Sequence, residues 1–377
     1  MARLGDICNI QSGGTPSRSN QLYWENGSIP WVKISDIKNK YLNETEEHIT
    51  DEGLNNSSAK VFPAGTLLYT IFATLGEVCI LNIDAATNQA ITGLQIIDDD
   101  VDTNYLYYYL MSLKSKVNNM GRGVAQNNIN MQILKNFEIP LPPLEEQQKI
   151  AAVLDKVSDL IEKRRQQLEK LDLLVKAKFV EMFDLNVYNY VTLGDSTDFI
   201  DYRGHTPTLS NNGNIRMVNA KSVGKGFFKY VDEYVTEETY NSWMHRGFGH
   251  PGDVLFVTEG HTFGNTCQVP EGLTKFALGQ RVITIQGHKG MINNTFLCAY
   301  MQTDKFIKDI NIYKTGGTAQ GIRSKDLEKV KIPLYPYKQQ EFFDKFVSHI
   351  EKTKSNIIYG LEKLETLKKA LMQEYFG

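Results

Sequence analysis

The chain has 377 residues, of which 41% are hydrophobic and 23% are charged, and its formal net charge at pH 7 is −3. This length suits about two or three domains, and the composition argues against a disordered, fibrous or strongly basic protein. No apolar run approaches the roughly 20 residues that cross a bilayer, and the start of the chain lacks the pattern of a signal peptide. The four cysteines form no Cys-x-x-Cys pair, so we expect a cytoplasmic protein with reduced thiols and no structural zinc site.

The first 140 residues predict a mixed α/β domain that is rich in turns. Apolar, β-branched runs bounded by Gly, Asn or Asp predict strands at residues 61–72, 76–81 and 93–97. Tyrosines and leucines at helical spacing predict a helix at residues 104–117. Residues 112–137 carry four basic side chains and no acidic one, so the small net charge still allows a basic face.

Residues 141–183 predict a long amphipathic helix. From Ile150, alternating steps of four and three residues reach ten positions, of which eight are apolar, as in the seam of a coiled coil. Pro142 and Pro143 stand ahead of it, where a fixed φ and a missing N–H suit the start of a helix. The same steps from Phe343 define a second helix, and each of its positions lies 193 residues after its counterpart.

The rest of the chain repeats as well, which indicates the order domain, helix, domain, helix. The matched landmarks lie at offsets between 187 and 194 residues, and the loops between them differ freely. They are Leu4-Gly5-Asp6 with Leu193-Gly194-Asp195, Gly14-Thr15-Pro16 with Gly204-His205-Thr206-Pro207, Pro63 with Pro251, Gly76 with Gly264, Gln89 with Gln280, Asn104 with Asn294, Ala125-Gln126 with Ala319-Gln320, and Ile139-Pro140 with Ile332-Pro333. A shared frame with different loops is expected if the loops recognise something.

We therefore predict an α+β protein. Two mixed α/β domains, residues 1–140 and 188–335, are related by the internal repeat and alternate with two long helices, residues 141–187 and 336–377. Each helix must bury its seam, and antiparallel pairing of the two helices as a coiled coil is the simplest solution. That pairing predicts a dumbbell with the domains at opposite ends. Parallel pairing and pairing between two chains stay open.

Four polar residues interrupt the apolar seam. Arg164 and Lys178 stand in the first helix, and Lys354 and Lys368 stand in the second, each opposite an apolar counterpart in the other copy. Polar residues at different seam positions in the two copies favour one specific pairing over its alternatives. The simpler interpretation is that their charged ends reach solvent at the edge of the seam.

Sequence motifs for catalysis are missing. The chain has no Walker A motif, no Asn/Asp-Pro-Pro-aromatic segment, and no histidine spacing typical of a metal site. The nearest approach to a nuclease site is Asp253 with Glu259 and His261, which has no counterpart in the first copy. We expect no catalytic activity, and a single-chain nuclease is the least favoured alternative.

Polar loops recur in both copies and suit nucleic acid. Arginine and lysine match guanine O6 and N7, and asparagine or glutamine match adenine N6 and N7. Thr15 and Thr206 stand beside glycines, where backbone N–H groups can approach a phosphate. Each of these residues alone is more simply an ordinary loop residue, and only their recurrence in both copies favours DNA binding. One loop holds Arg122, Gln126, Asn127, Asn128 and Asn130.

Together these segments resemble the specificity subunit of type I restriction-modification systems. The most specific stretch is Ile-Pro-Leu-Pro-Pro-Leu-Glu-Glu-Gln at residues 139–147, followed by the patterned helix. Residues 4–6, 13–16, 63–68 and 121–130 match as well, and the resemblance covers essentially the whole chain. In the second copy Lys338 and Gln339 replace the two glutamates.

The resemblance implies a function and a set of partners. Each domain is expected to be a target-recognition domain that reads one half of a bipartite site in double-stranded DNA. The helices are expected to set the spacer between the half-sites and to bind the DNA methyltransferase (modification) subunits. The restriction/translocase subunits complete the complex. S-adenosylmethionine, ATP and Mg²⁺ are expected in those partners only, and no cofactor is expected in this chain.

The predicted DNA-contacting residues are polar or cationic and lie in loops of both domains. A coiled-coil scaffold whose domains bind protein partners is the main alternative, because the near-neutral charge fits it. The predicted residues are Thr15, Arg18, Lys33, Ser35, Arg122, Gln126 and Asn128 in the first domain, and Arg203, Thr206, Lys221, Gln320 and Arg323 in the second.

Overall fold

The structure of the protein is a computed structural model, which describes residues 1–121, 128–184, 189–202, 206–314 and 320–377. The chain forms two compact units. Unit 1 comprises Met1–Arg165 and Tyr359–Gly377, and unit 2 comprises Gln166–Ile358. Each unit therefore contains one mixed α/β domain together with part of each long helix.

The domain of unit 1 contains a five-stranded sheet in the order β2-β10-β7-β8-β4 and a four-stranded sheet in the order β5-β3-β9-β6. Strands β1 and β11 pair separately. The strands are β1 Ala2–Arg3, β2 Cys8–Ser12, β3 Ile29–Val32, β4 Tyr41–Leu42, β5 Glu47–Ile49, β6 Val61–Phe62, β7 Leu67–Thr70, β8 Val78–Leu81, β9 Ala85–Thr87, β10 Ile91–Ile96 and β11 Glu138–Ile139. The helices are α1 Leu4–Ile7, α2 Asp51–Asn55, α3 Thr103–Ser112, α4 Lys114–Gly121, α5 Met131–Lys135 and the long α6 Leu144–Met182.

The domain of unit 2 contains a four-stranded sheet in the order β13-β19-β16-β17 and a three-stranded sheet in the order β15-β14-β18. Strands β12 and β20 pair separately. The strands are β12 Tyr190–Thr192, β13 Thr197–Asp201, β14 Ile215–Val218, β15 Tyr234–Val235, β16 Val254–Val257, β17 Thr266–Gln268, β18 Phe276–Leu278, β19 Val282–Gly287 and β20 Lys331–Pro333. The helices are α7 Leu193–Ser196, α8 Glu237–Trp243, α9 Asn294–Tyr300, α10 Asp304–Asn311, α11 Ser324–Leu327 and the long α12 Tyr337–Phe376.

The internal repeat is present in the strand pairing of the two domains. Strands β2, β10, β7 and β8 pair antiparallel in that order, as β13, β19, β16 and β17 do. The second sheet pairs β3 parallel with β9, as it pairs β14 with β18. Gly76 and Gly264 both adopt a positive φ, +79° and +83°, which is the left-handed conformation that favours glycine. The prediction of two repeated α/β domains is confirmed.

Two of the predicted elements differ in detail from the structure. The strand predicted at residues 61–72 is β6 and β7, because a turn closed by the Thr66 N–H and the Pro63 carbonyl (3.2 Å) separates them. The helix predicted at residues 104–117 is α3 and the start of α4, which meet at Leu113. Strands β2 and β3 were not predicted, since each is short and depends on partners far along the chain.

The long helices, of 39 and 40 residues, pair antiparallel in each unit. In unit 1 Arg165 forms an ion pair with Glu365 (2.7 Å), and Glu146 and Ile150 line the same cavity as Glu374 and Tyr375. In unit 2 Lys354 bridges to Asp172 (2.8 Å), and Phe179 packs against Phe343. The seam residue Lys354 thus joins the two helices, as expected for a residue that selects one pairing.

The domain cores continue onto the long helices. Leu154 of α6 is fully buried in the core of unit 1, and Phe179 and Phe183 of the same helix are buried in the core of unit 2. The compact units for this reason cut both helices, whereas the predicted boundaries at residues 140, 187 and 335 follow the helix ends. Those boundaries stay a prediction. No helix within the described part of the chain is long and apolar enough to span a membrane.

A buried glutamine stands near the start of each long helix. The Gln147 side chain accepts a hydrogen bond from the Asp102 N–H (3.0 Å) and donates to the carbonyls of Asp100 and Pro142 (2.8 Å each). Its counterpart 193 residues later, Gln340, accepts from the Asn293 N–H (2.8 Å) and donates to two carbonyls in the same way. Both side chains are fully buried. Each therefore fixes the segment that leads into α3 or α9 against its long helix.

Candidate nucleic-acid interface

One edge of each domain collects the loops that carry the predicted residues. In unit 1, β2 and β7 end where the central strand β10 begins, because Thr92 pairs with Ser12 and Ile91 pairs with Thr70. In unit 2, β13 and β16 end where β19 begins, as Ile283 pairs with Asp201. We call this the loop edge: the residues that follow β2, β7 and β3 or precede β10 in unit 1, and their counterparts in unit 2.

The loops that the sequence singled out before the α5 and α11 helices reach this edge. The Ile129 N–H donates to the Ile71 carbonyl (3.0 Å), which places Asn128 beside the end of β7. In unit 2 the Ile322 N–H donates to the Thr258 carbonyl (2.9 Å), and the Gly260 N–H donates to the Gln320 carbonyl (3.0 Å). The two copies therefore use the same backbone contacts to bring these loops to the loop edge.

The second sheet of each domain extends the same edge. In unit 1 the Asn88 N–H donates to the Val32 carbonyl (3.0 Å), and the indole N–H of Trp31 donates to the Gly14 carbonyl (3.0 Å). A Cβ on Gly13 would lie 2.0 Å from the Thr87 hydroxyl, so only glycine allows this close approach. In consequence Lys33, which directly follows β3, lies on the loop edge.

Unit 1 carries a compact group of charges on this edge. Arg18 Nη1 lies 2.5 Å from Glu47, and Lys33 Nζ lies 2.5 Å from Glu46 and 3.2 Å from Glu47. The hydrogen bond to Glu46 raises the pKa of Lys33 above its ordinary value. Partial burial acts to raise the pKa of Glu47, but the hydrogen bonds from Arg18 and Lys33 outweigh it and leave that pKa below its usual range. All these groups are therefore charged at neutral pH.

Unit 2 has a different set of charges at the equivalent place. Glu233 occupies the position of Glu47, because its carbonyl accepts from the Met217 N–H (2.8 Å) as Glu47 pairs with Trp31. Lys221 Nζ lies 2.5 Å from Glu233, and this hydrogen bond lowers the pKa of the Glu233 carboxyl. Arg281, at the start of β19, lies 3.0 Å from Glu259. The two edges thus share a carboxylate but differ in their cations.

The family of the chain follows from comparison with known proteins. The family model of the type I restriction modification DNA specificity domain matches residues 1–171 and, a second time, residues 189–363. The chain belongs to this family. Each match contains one domain with its loop edge and continues into the long helix that follows.

Relatives in the specificity family span nearly the whole chain. The MjaIX specificity subunit of Methanocaldococcus jannaschii, a type I restriction enzyme subunit, is 27% identical over 97% of this chain and 89% of its own length. The EcoR124I/EcoR124II specificity subunit of Escherichia coli is 30% identical over 42% of this chain and 40% of its own. The crystal structure of the type I S subunit from M. genitalium covers all of this chain and 95% of its own with a TM-score of 0.61, and at 16% identity it supports the fold.

The predicted specificity residues take several environments. The Thr15 hydroxyl donates to Gln89 at the start of β10, and Arg323 is exposed just before α11. Ser35, Thr206 and Gln320 are exposed. Arg122, Gln126 and Arg203 lie outside the described residues. The structure brings Thr15, Arg18, Lys33 and Asn128 to the loop edge of unit 1, and Lys221, Gln320 and Arg323 to that of unit 2, while their contact with DNA stays a prediction.

Sequence reasoning missed several residues of the two edges. Arg281 directly follows Gln280, which the repeat had already matched to Gln89, so a closer look at that landmark could have found it. Trp24 lies under Arg18, with 3.7 Å between the guanidinium carbon and the ring centre. Glu47 and Glu233 come from distant segments. No local pattern marks these last three residues, because their role depends on pairing between distant segments.

The structure separates the residues of the candidate nuclease site. Asp253 is buried ahead of β16, where it accepts hydrogen bonds from the His250 N–H and the Gln286 amide (2.7 Å each). Glu259 follows the other end of β16, which is about 20 Å away along an extended chain of six residues. Within the described ranges, no group of three His, Cys, Asp or Glu residues could hold a metal ion. Asp253 is a structural residue, and the pair cannot share one catalytic site.

Proposed function

We propose that this chain is the DNA-sequence-recognition subunit of a type I restriction-modification complex, in which each domain reads one half of a bipartite duplex site. The observation that carries the proposal is the loop edge, which is built twice on one backbone frame with different polar side chains. A common frame can present two sets of side chains to two different base sequences. The membership of the specificity-domain family supports the same function.

The long helices serve as the spacer and as the binding surface for the methylation subunits. A helix of 39 residues is about 60 Å long at a rise of about 1.5 Å per residue, which is the scale of a DNA site rather than of a single groove. Several apolar side chains on the helices are exposed, among them Leu173 (62%), Val180 (71%) and Tyr359 (60%). Exposed apolar side chains on a helix suit protein partners.

The chain acts without catalysis of its own. Its partners are the DNA methyltransferase subunits, which use S-adenosylmethionine, and the restriction/translocase subunits, which use ATP and Mg²⁺. This division fits a sequence without nucleotide-binding or methyltransferase motifs. A purified chain that methylated or cut DNA by itself would contradict it.

A domain exchange tests the proposal most directly. The full chain, with residues 191–336 replaced by the equivalent domain of a relative, is expressed with its partner subunits, and methylated sites are mapped across the host genome. We expect one half-site to change and the other to remain, because each domain reads separately. A change in both half-sites contradicts separate reading.

The scaffold alternative is tested by binding rather than by methylation. Selection of the wild-type complex on duplexes of random sequence should recover one bipartite motif, with binding that weakens as salt rises. A complex that recovers no motif would favour a coiled-coil scaffold that binds protein partners.

A further inference from the structure

Unit 1 contains a loop that has no equivalent in unit 2. Between Pro16 and β3 the chain has twelve residues, 17–28, whereas between the matching Pro207 and β14 it has seven, 208–214. The longer loop carries Arg18 and Trp24 to the loop edge. Since the shared frame cannot distinguish two half-sites, residues that only one domain possesses are the first candidates for its specificity.

The loop is held in place by hydrogen bonds to its neighbours. Asn20 caps the short 3-10 helix Gln21–Tyr23, its side chain accepting from the Leu22 N–H (3.2 Å). Thr50 donates its N–H to the Tyr23 carbonyl (3.0 Å) and its hydroxyl to the Leu22 carbonyl (2.8 Å). The loop is therefore tied to the residues that begin α2, and it presents its side chains in a defined position.

The guanidinium of Arg18 is fixed on two sides. It lies over the ring of Trp24 at 3.7 Å and near that of Trp31 at 4.9 Å, and the two rings meet edge to face at 5.0 Å. Trp31 is buried, and Trp24 donates its indole N–H to the Ser17 carbonyl (3.1 Å). Glu47 holds Nη1 from the side. The Arg18 side chain nevertheless remains 54% exposed, so part of its fork of donors faces solvent.

We propose that Arg18 reads a guanine in the half-site of the unit 1 domain, with Trp24 and Glu47 as positioning residues. This inference rests on the proposed function. Guanine offers O6 and N7 on its major-groove edge, and a planar arginine fork matches both acceptors at once. An arginine that is already stacked and oriented loses less conformational entropy when it binds than a mobile one does.

The charge of the group favours a base contact over a phosphate contact. Arg18 and Lys33 contribute two positive charges, and Glu46 and Glu47 contribute two negative charges, so the group is neutral as a whole. A neutral group gives little attraction to a phosphate, and its carboxylates repel one. Guanine is uncharged, and its recognition depends on the geometry of the donors, which the stack on Trp24 provides.

The test is the substitution R18K in the full chain, expressed with its modification subunits and selected on random duplexes. Lysine keeps the charge but loses the planar fork. We expect the variant to lose about 10- to 100-fold of the preference for guanine at one position of one half-site, with the other half-site unchanged. Lys221→Met in the second domain is the matched control, since it should leave that position intact.

Two results would overturn the inference. One is an unchanged motif with R18K, and the other is a uniform loss of affinity on all sequences with a smaller dependence on salt, which identifies a phosphate contact. E47Q frees Nη1 without removing Arg18, and it should weaken the same guanine preference several-fold. It decides the question if R18K does not fold, because an unchanged motif with E47Q would also count against the inference. A wild-type complex that selects no bipartite motif would instead refute the proposed function itself.

Discussion

The two domains are attached to the long helices by chemically different contacts. In unit 1 the Tyr108 hydroxyl donates to Asp155 of α6 (2.6 Å), and Lys40 forms an ion pair with the same carboxylate. In unit 2 the corresponding surface is aromatic, where Phe183 of α6 lies 4.8 Å from Phe296 and 5.6 Å from Phe343 between ring centres. The first attachment depends on charge, and the second depends on burial of apolar surface.

The buried glutamines, by contrast, are the same in both attachments. Gln147 and Gln340 each satisfy one backbone N–H and two carbonyls at the segment before the next domain helix. Buried backbone groups need a partner whatever surrounds them, so this contact cannot diverge without cost. Side chains around it can diverge as long as the surface is filled. The comparison therefore separates a constant polar contact from a variable one.

The largest expected effect is on the aromatic attachment. Phe183→Ala should reduce the free energy of unfolding of unit 2 by about 3–5 kcal/mol, because a fully buried ring is removed and a cavity remains. Urea unfolding together with hydrogen exchange in α9 measures this loss. Phe342→Ala removes an exposed ring of the same size from α12 and should cost less than about 1 kcal/mol. Equal effects for the two variants would show that the aromatic contact does not stabilise the attachment.

The glutamine contact should give the next effect and should give it twice. Gln147→Ala and Gln340→Ala each leave an N–H and two carbonyls without their partner, which should cost about 2–3 kcal/mol in the unit concerned. We expect the two losses to agree within about 1 kcal/mol, since both side chains are fully buried and make three hydrogen bonds. Hydrogen exchange of the Asp102 and Asn293 amides reports each site separately. A large loss at one glutamine and none at the other would contradict the equivalence.

The charged attachment should give the smallest effect. Asp155→Asn keeps an acceptor for Tyr108 but removes the ion pair with Lys40, and the loss should be about 1 kcal/mol because Asp155 is partly exposed. The loss should shrink as salt is raised, which thermal unfolding at two salt concentrations can measure. Ser348→Ala, at the equivalent place of α12, serves as the control and should have no such dependence on salt. A loss for Asp155→Asn that ignores salt would mean that charge does not hold this attachment.

Much of the fold could be predicted from local pattern. The seam from Ile150 and the offset of 193 residues predicted both long helices, and Gly76 with Gly264 marked equivalent turns that the structure confirms. Helical periodicity and turn glycines are properties of neighbouring residues, so one sequence is enough to see them. Strands β2 and β3 escaped prediction because a short strand has little local signal.

The candidate site was predictable only in part. The residue types at Thr15, Lys33 and Asn128 marked loops that the structure does place on one edge. The partners of these loops could not be found in this way, since Glu47 reaches Arg18 only through the pairing of β3 with β5. The same limit applies to Asp253 and Glu259, which are close in sequence but stand at opposite ends of a strand.

The sequence by itself determined the repeat, the two helices and the family, because these are recorded in spacing and in short motifs along the chain. Only the tertiary structure decided which side chains meet: Arg18 on Trp24, Lys221 with Glu233, and Lys354 across the seam to Asp172. Such contacts join residues that are separated in sequence, and their geometry depends on how strands and helices pack. The physical reason is that periodicity is a local property of the chain, whereas a recognition surface is a property of the folded domain.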